Sequence, residues 1–586
     1  MITRPLTRPL TSPIARAITD AGGGWTPAAL FAASEQGAWY DPSDLSTMFQ
    51  DAAGTLPVYA PGQGQVDPPV GMLLDKRLGF SRGPELISNT GLANLDGWTA
   101  VRGATATASG GVVTVTTANP NNWGSVSSPI TTVPGKTYLV TAYATVTNGQ
   151  NVQLLASESP TLHVNITSSG GSRNAVGYYA LVFKATKTMH YVWLGSSMNS
   201  AGVAVSSWTT PTAREVSPNY AYQTTTTSRP TLSARYNLLT ATEFPNGISD
   251  APSRAGLVTA SALPGYTGAL AFGYDGVSTS YAYKAGSPAS TTMTLSFVVK
   301  MDDGGPPSFG AAPSAANSDF ALVLRNASIP PATYQVVNLG GGYYRVSGTQ
   351  ASGVGNDGNG IVKYAGNSPR TFKVTAFDLR PANDGVGLPP YQRVVDANTY
   401  DTVGFPLYLK FDGVDDFLQT ASVDFSGTDK LFASAALRKL SDAATGILAE
   451  LSSVSNTNNG SFAVLAPAAN GASNMATYLR GDSALSLVVP TNIVSPVSSV
   501  FSGVFDLGAP TGQQNAARVN GTHYAYSIGA SGAGNFGNYP LYIGRRGGTG
   551  LPFNGRLYGL LIRGAATPDA TIATVERYLN SKARAY

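Results

Sequence analysis

Between Asp75 and Gly564 the chain consists almost wholly of short runs rich in Val, Thr, Tyr and Phe, cut by Gly, Asn or Pro about every eight to twelve residues. VVTVTT, TYLVTAYATV, YYALVFKAT, TLSFVVKM, YYRVSG, TFKVTAFDL and LYGLLI are examples. β-Branched and aromatic side chains suit a pleated surface, and connections this short join antiparallel neighbours. The pattern predicts an all-β chain of several β-sandwiches. At 586 residues and roughly 150 per domain, length alone suggests about four domains, fewer if the sandwiches are large.

Composition excludes several function classes. Only 12% of residues are charged, yet 42% are hydrophobic and 29 are tyrosines, enough for several cores and incompatible with wholesale disorder. The net charge of +4 spreads 37 basic residues thinly, so nucleic acid is not an expected partner. With no cysteine, disulfides, thiolate metal sites and a cysteine nucleophile are excluded. His163, His190 and His523 never form a metal-ligand pair in sequence and read as strand or loop residues. No apolar run approaches the roughly 20 residues of a membrane span, so no membrane insertion is expected.

Residues 1–24 read as an extended arm. Pro5, Pro9 and Pro13 recur every four residues, which forbids a regular helix and breaks any signal-peptide apolar core. Arg4, Arg8 and Arg16 precede the first acidic residue, Asp20. Fully extended, such an arm reaches roughly 80 Å, far enough to anchor on a partner; a loose terminus is the alternative reading. Helix signals are few: short segments opening at Thr26-Pro27 and Asp41-Pro42, and a closing helix with Ile572, Val575 and Leu579 on one face after Thr567-Pro568-Asp569.

Two stretches share one plan at low identity. ELISNTGLANLDGW, TYLVTAYATV, GYYALVFKAT and TPTAREV follow one another from Glu85 to Val216, and YNLLTATEFPNG, TMTLSFVVKM, GYYRVSGT and TFKVTAFDLRP from Tyr236 to Pro381. Both resemble jelly-roll carbohydrate-binding modules. The ends of the chain carry a second resemblance. WYDPSD, PVGMLLDK to Lys76, YQTTTTSRPTLSA from Tyr222, LYLKFDGVDDFLQT from Leu407 and LYIGRRGGTGLPFNGRLYGLLIRG with the closing helix resemble consecutive pieces of one concanavalin A-like (LamG-like) lectin sandwich. That family is frequent in bacteriophage virion proteins. The match breaks after Lys76 and again after Ala234, which implies two jelly rolls inserted into one lectin domain. The expected division is 25–78 plus 220–235 plus 404–586 for the lectin domain, 83–217 for the first jelly roll and 236–385 for the second. Closing a long loop instead of a short one adds only about 3 kcal/mol.

The glycanase members of the lectin fold use a closely spaced carboxylate pair. The seven glutamates here never fall within twenty residues of one another, so no catalytic residues are assigned and the chain is not expected to be an enzyme. Asp412, Asp415 and Asp416 in FDGVDDFL form the best acidic cluster. They read either as a turn that caps backbone or as a Ca²⁺ site, with no other cofactor expected. Asn356-Asp357-Gly358-Asn359-Gly360 reads as a plain turn. Carbohydrate binding needs exposed aromatic faces beside hydrogen-bonding groups. Trp98 and Trp123 stand in turn-rich contexts that suggest exposure, and Tyr266 is the candidate in the second jelly roll; Trp193 reads as core.

The two resemblances imply a bacteriophage structural protein located on the virion, a tail fibre or other tail appendage facing a host surface glycan. Arg4, Arg8 and Arg16 would anchor it to other tail or capsid proteins. A head fibre or capsid decoration protein and a tail-spike depolymerase are the alternatives. A closed homo-oligomer, a homotrimer, is the expected assembly. Deleting residues 1–20 is expected to shift the melting temperature by less than about 2 °C, because they add no apolar face to any core. A larger fall in calorimetry would assign the arm to the folded body.

Overall fold

The computed structural model describes residues 25–586 apart from 78–83, 120–122, 147–150, 162–165, 174–175, 197–201, 287–291, 352–357, 383–387 and 525–528. The arm with Arg4, Arg8 and Arg16, together with His163, Asn356 and Asp357, lies outside the described residues.

The described strands form six antiparallel sheets, packed in pairs around three large cores. Period-two alternation builds each one. In the strand Thr137–Val146, Tyr138, Val140, Ala142 and Ala144 turn inward and are 2% exposed or less, while Thr141 and Tyr143 turn outward. The chain is thus all-β, made of stacked sandwiches with one α-helix among the described residues.

The largest pair joins an eight-stranded and a nine-stranded sheet. Gly37–Tyr40 lies antiparallel to Asn554–Arg563, with Trp39 opposite Leu561. Met72–Leu73 sits between Met48–Phe49 and Ala221–Tyr222, which in turn pairs with Leu418–Asp424. Thr231–Ser233 pairs with Tyr408–Asp412. Tyr40, Leu73, Leu232, Phe411 and Leu557 share one core and are not accessible to water. Outside the eight-stranded sheet, the helix Asp569–Ala583 lays Ile572, Val575, Leu579 and Ala583 over Trp39, Phe432, Val500 and Tyr558. The helix has no side-chain N-cap. The two earlier helix signals yield only 3₁₀ turns, Pro27–Phe31 and Leu45–Thr47. The Asp41 carboxylate accepts from the Ser43 N–H two residues on and is also engaged by Lys76, Lys582 and the Tyr578 hydroxyl.

Residues 84–217 form two five-stranded sheets, and residues 237–381 a five-stranded and a six-stranded sheet. The first pair docks on the large sandwich through Phe49, Met72 and Leu74 against Leu139, Ala180, Val182 and Val216. Gly54 is required there: its φ is +67°, and a Cβ would come within 2.7 Å of Val182. A polar knot ties the points where the chain leaves and returns. Asp75 accepts from the Trp39 and Arg77 backbone N–H groups, both at 2.9 Å, and from the Ser217 hydroxyl, and Arg77 pairs with it at 3.1 Å. Burial pushes the Asp75 carboxyl up to about 6 despite these partners. Nearby, Asn219 donates to the Gly37 carbonyl and accepts from the Tyr40 hydroxyl through its own carbonyl.

The second jelly roll is tied by two buried amides. Gln392 accepts from the Tyr236 and Asn237 N–H groups and donates to the Ala234 and Asp401 carbonyls. Asn237 donates to Phe377 and Gln392 carbonyls and accepts from Leu239 and Leu379. Every donor and acceptor of both amides is used, as complete burial demands. No helix among the described residues is long and apolar enough to cross a membrane.

Trp39 is 2% exposed and lies beneath the closing helix. Trp39→Ala is expected to cost about 3–5 kcal/mol in denaturant unfolding. Hydrogen exchange should speed at Leu560–Ile562 as well as near residue 39; unchanged protection there would show that the strand pairing does not couple the chain ends.

Candidate functional site

The turn at Asp412–Asp416 forms because Gly413 takes φ +76°, where a Cβ would meet Asn554 at 2.7 Å. Asp412 Oδ1 accepts from the N–H groups of Val414, Asp415 and Asp416, at 2.8, 3.2 and 3.4 Å. Asp416 Oδ2 accepts from the Asp412 N–H at 3.0 Å, and Asp415 Oδ2 accepts from the Ser228 hydroxyl at 2.6 Å. An oxygen of each carboxylate lies within 4.8 Å of the others. These are the residues that could hold a hard cation. Much of their acceptor capacity already closes the turn, whereas Ca²⁺ takes about six to eight oxygens. Burial, then the neighbouring Asp412 and Asp415 charges, push the Asp416 carboxyl up to about 7.

The aromatic candidates do not converge. Trp98, expected to be exposed, is 5% exposed. Its indole N–H donates to the Asn89 carbonyl at 3.0 Å and its ring joins the first jelly-roll core, because the loop Asn89–Gly97 folds back beneath it. The sugar-platform expectation for Trp98 is corrected accordingly. Trp123 is half-buried. It precedes the strand Gly124–Thr131, whose pairing with Thr99–Val101 sets the two tryptophans at opposite ends of that strand pair. Tyr266 is half-buried in the second jelly roll, its ring 6.2 Å from Tyr343 at 39°. Trp193 is 1% exposed. His190 is buried with Nδ1 2.9 Å from the Thr132 hydroxyl.

A different surface gathers aromatic and hydroxyl groups. It is the outward face of the five-stranded sheet that carries Thr137–Val146. Tyr178, 61% exposed, stands opposite Tyr143, which stands opposite Thr209; the two rings meet edge to face at 5.0 Å. In the adjoining row Thr145, Ser207, Thr114 and Thr107 follow one another across four strands. Neighbouring strands are roughly 4.8 Å apart, so these hydroxyls form a regular line. Ser207 and Thr114 are hydrogen bonded at 3.0 Å, and Thr141 and Thr212 at 2.7 Å. An aromatic edge beside a row of two-way hydrogen-bonding hydroxyls has the chemistry to receive a sugar, apolar on its C–H face and polar at its rim. Alternation in TYLVTAYATV separates Tyr143 from Tyr138 but does not say which one faces out, so the face is not legible in the sequence.

The seven glutamates all have structural partners. Glu35 pairs with Arg563, Glu85 with Arg214, Glu158 with Lys187, Glu215 with Lys136, Glu450 with Arg546 and Glu576 with Arg518. Glu243 accepts from Thr267 and Tyr391.

No protein family and no curated protein matches the sequence. Among solved structures, the chain is similar to the CBM40 of a Ruminococcus gnavus IT-sialidase bound to alpha2,3 sialyllactose, at 16% identity over 27% of this chain and 97% of that one, with a TM-score of 0.21. It is similar to a heptameric SAP-like pentraxin from Limulus polyphemus at 14% identity over 28% and 80%, TM-score 0.23. It is also similar to the enzymatically active domain of bacteriophage CBA120 tailspike protein 4 at 13% identity over 22% and 21%, TM-score 0.18.

The Asp416 carboxyl yields a pH prediction. Its native value, about 7, lies above the ordinary 3.8, so the native state binds the extra proton and stability falls as pH rises from about 4 through 7. Asp416→Asn is expected to flatten that fall in thermal melts between those pH values, with the variant gaining on the wild type towards neutrality. Parallel curves for the two proteins would sink the assignment.

Proposed function

We propose that this chain is a bacteriophage structural protein, a tail fibre or similar tail appendage, whose first jelly roll holds a host surface glycan on the face bearing Tyr143 and Tyr178. The observation that carries the glycan reading is that face: one strongly exposed tyrosine braced edge-on by another, beside hydroxyls lined up across four strands. Such a surface gives a saccharide an aromatic wall and a polar floor without covering it. Binding without cleavage is favoured because the seven glutamates are dispersed along the chain and each is engaged in an ion pair or hydrogen bond. The placement on a phage tail rests on the sequence resemblance of the chain ends to lectin sandwiches of virion proteins, with the arm as the anchor to other virion proteins.

Biolayer interferometry of the purified chain against immobilised host lipopolysaccharide and capsule tests this. Tyr178→Ala is expected to weaken binding at least about tenfold, equivalent to about 1.4 kcal/mol, without a change in melting temperature. Wild-type affinity in that variant removes the site, and shortening of the glycan by the wild-type chain overturns binding without cleavage. Immunogold labelling on a structure other than the tail overturns the placement.

A further inference from the structure

The strand Gln335–Gly340 ends the six-stranded sheet of the second jelly roll. One edge pairs with Tyr343–Ala351; the other has no strand beside it among the described residues. All six residues are exposed. Because alternate residues of a strand face opposite ways, both faces and the outer edge meet solvent. Val336, Val337 and Leu339 are 42%, 45% and 49% exposed. From Gln335 to Tyr344 there is neither a charged residue nor a proline, two of the devices that usually guard a free edge; a register shift between Asn338 and Gly340 is confined to the end of the strand. The turn that closes this ribbon, Gly340–Gly342, has φ values of +87°, +62° and +79°, a run that only glycine adopts without strain.

We propose that the outer edge of Gln335–Gly340 pairs antiparallel with the same strand of a second copy of this chain, about a two-fold axis. The free N–H and C=O groups of an extended strand are self-complementary under such an axis, and an isologous contact closes on itself. Charge selects the same partner. In like-on-like pairing any charged residue of the edge strand faces its own kind across the axis, and Gln335–Gly340 carries none. Val336, Val337 and Leu339 then lose water on both faces. The contact is a single pair of six-residue strands, well short of the about 800 Å² per partner of a typical stable complex. Free protein therefore pairs in a concentration-dependent way, and the contact closes fully where copies are held together in a larger assembly. This two-copy contact predicts even stoichiometry in place of the expected trimer, and it stands independently of the glycan reading.

Sedimentation velocity of the full chain from about 1 to about 200 μM tests it. The wild type is expected to pass from monomer to dimer, and Val337→Lys to raise the midpoint at least about tenfold, since like charges opposed across a strand pair repel. If the lysine variant does not fold, the double variant Val336→Thr, Val337→Thr takes its place, because threonine keeps the branched shape and strand preference while losing apolar area. A wild type that stays monomeric throughout, a trimer, or a midpoint unmoved in the folded variant overturns the proposal.

Discussion

The antiparallel pairing of Gly37–Tyr40 with Asn554–Arg563 is the contact on which the rest of the molecule depends. Four residues near the start of the chain fill an edge position that nothing local could fill. Trp39 on the outer face roofs the sheet beneath the closing helix, while Tyr40 on the inner face joins the main core. Strands as short as Met48–Phe49, Met72–Leu73 and Ala221–Tyr222 have no stability alone; they persist because the nine-stranded sheet that receives them is already held by longer strands such as Leu418–Asp424 and Asn538–Ile543. Loop closure grows only logarithmically with length, so large excursions between these short strands add little to the cost.

The two attachments of the jelly rolls solve one problem in different ways. At the first, an ionisable group is buried: Asp75 satisfies backbone N–H groups and Arg77, yet burial still raises its carboxyl to about 6, so this tie is made at an electrostatic cost. At the second, the neutral amides of Asn237 and Gln392 have complete hydrogen bonds, and the buried Asp378 that accepts from the Gln392 N–H is itself paired with Arg380 at 2.7 Å. The apolar patch around Leu74 and Val182 accompanies the charged knot, and its burial offsets what the carboxylate loses in leaving water.

Recognition surfaces on such a scaffold are set by which side of a sheet stays uncovered. Part of the outward face of the Thr137–Val146 sheet is covered by the large sandwich at Leu139, Ala180 and Val182, and the remainder leaves Tyr143, Tyr178 and the threonine rows open. Trp98 shows the opposite outcome. Its turn-like surroundings suggested exposure, but Leu92 and Leu95 pack with it in the core, and the same glycine and asparagine residues that signal a turn here fold it inward.

Local chemistry is legible in the amino-acid order. Period-two runs of Val, Thr and Tyr broken by glycine and proline determined an all-β, multi-sandwich chain, and FDGVDDFL determined an aspartate-capped turn, because both rest on interactions spanning a few residues. What only tertiary structure decided is which face of each strand met water and which distant groups met each other. Ser228 reaches Asp415 across 187 residues; Tyr143 became surface and Tyr138 core through the placement of a second sheet. Alternation divides a strand into two faces, but burial is a property of what packs on them, and that partner lies elsewhere in the chain.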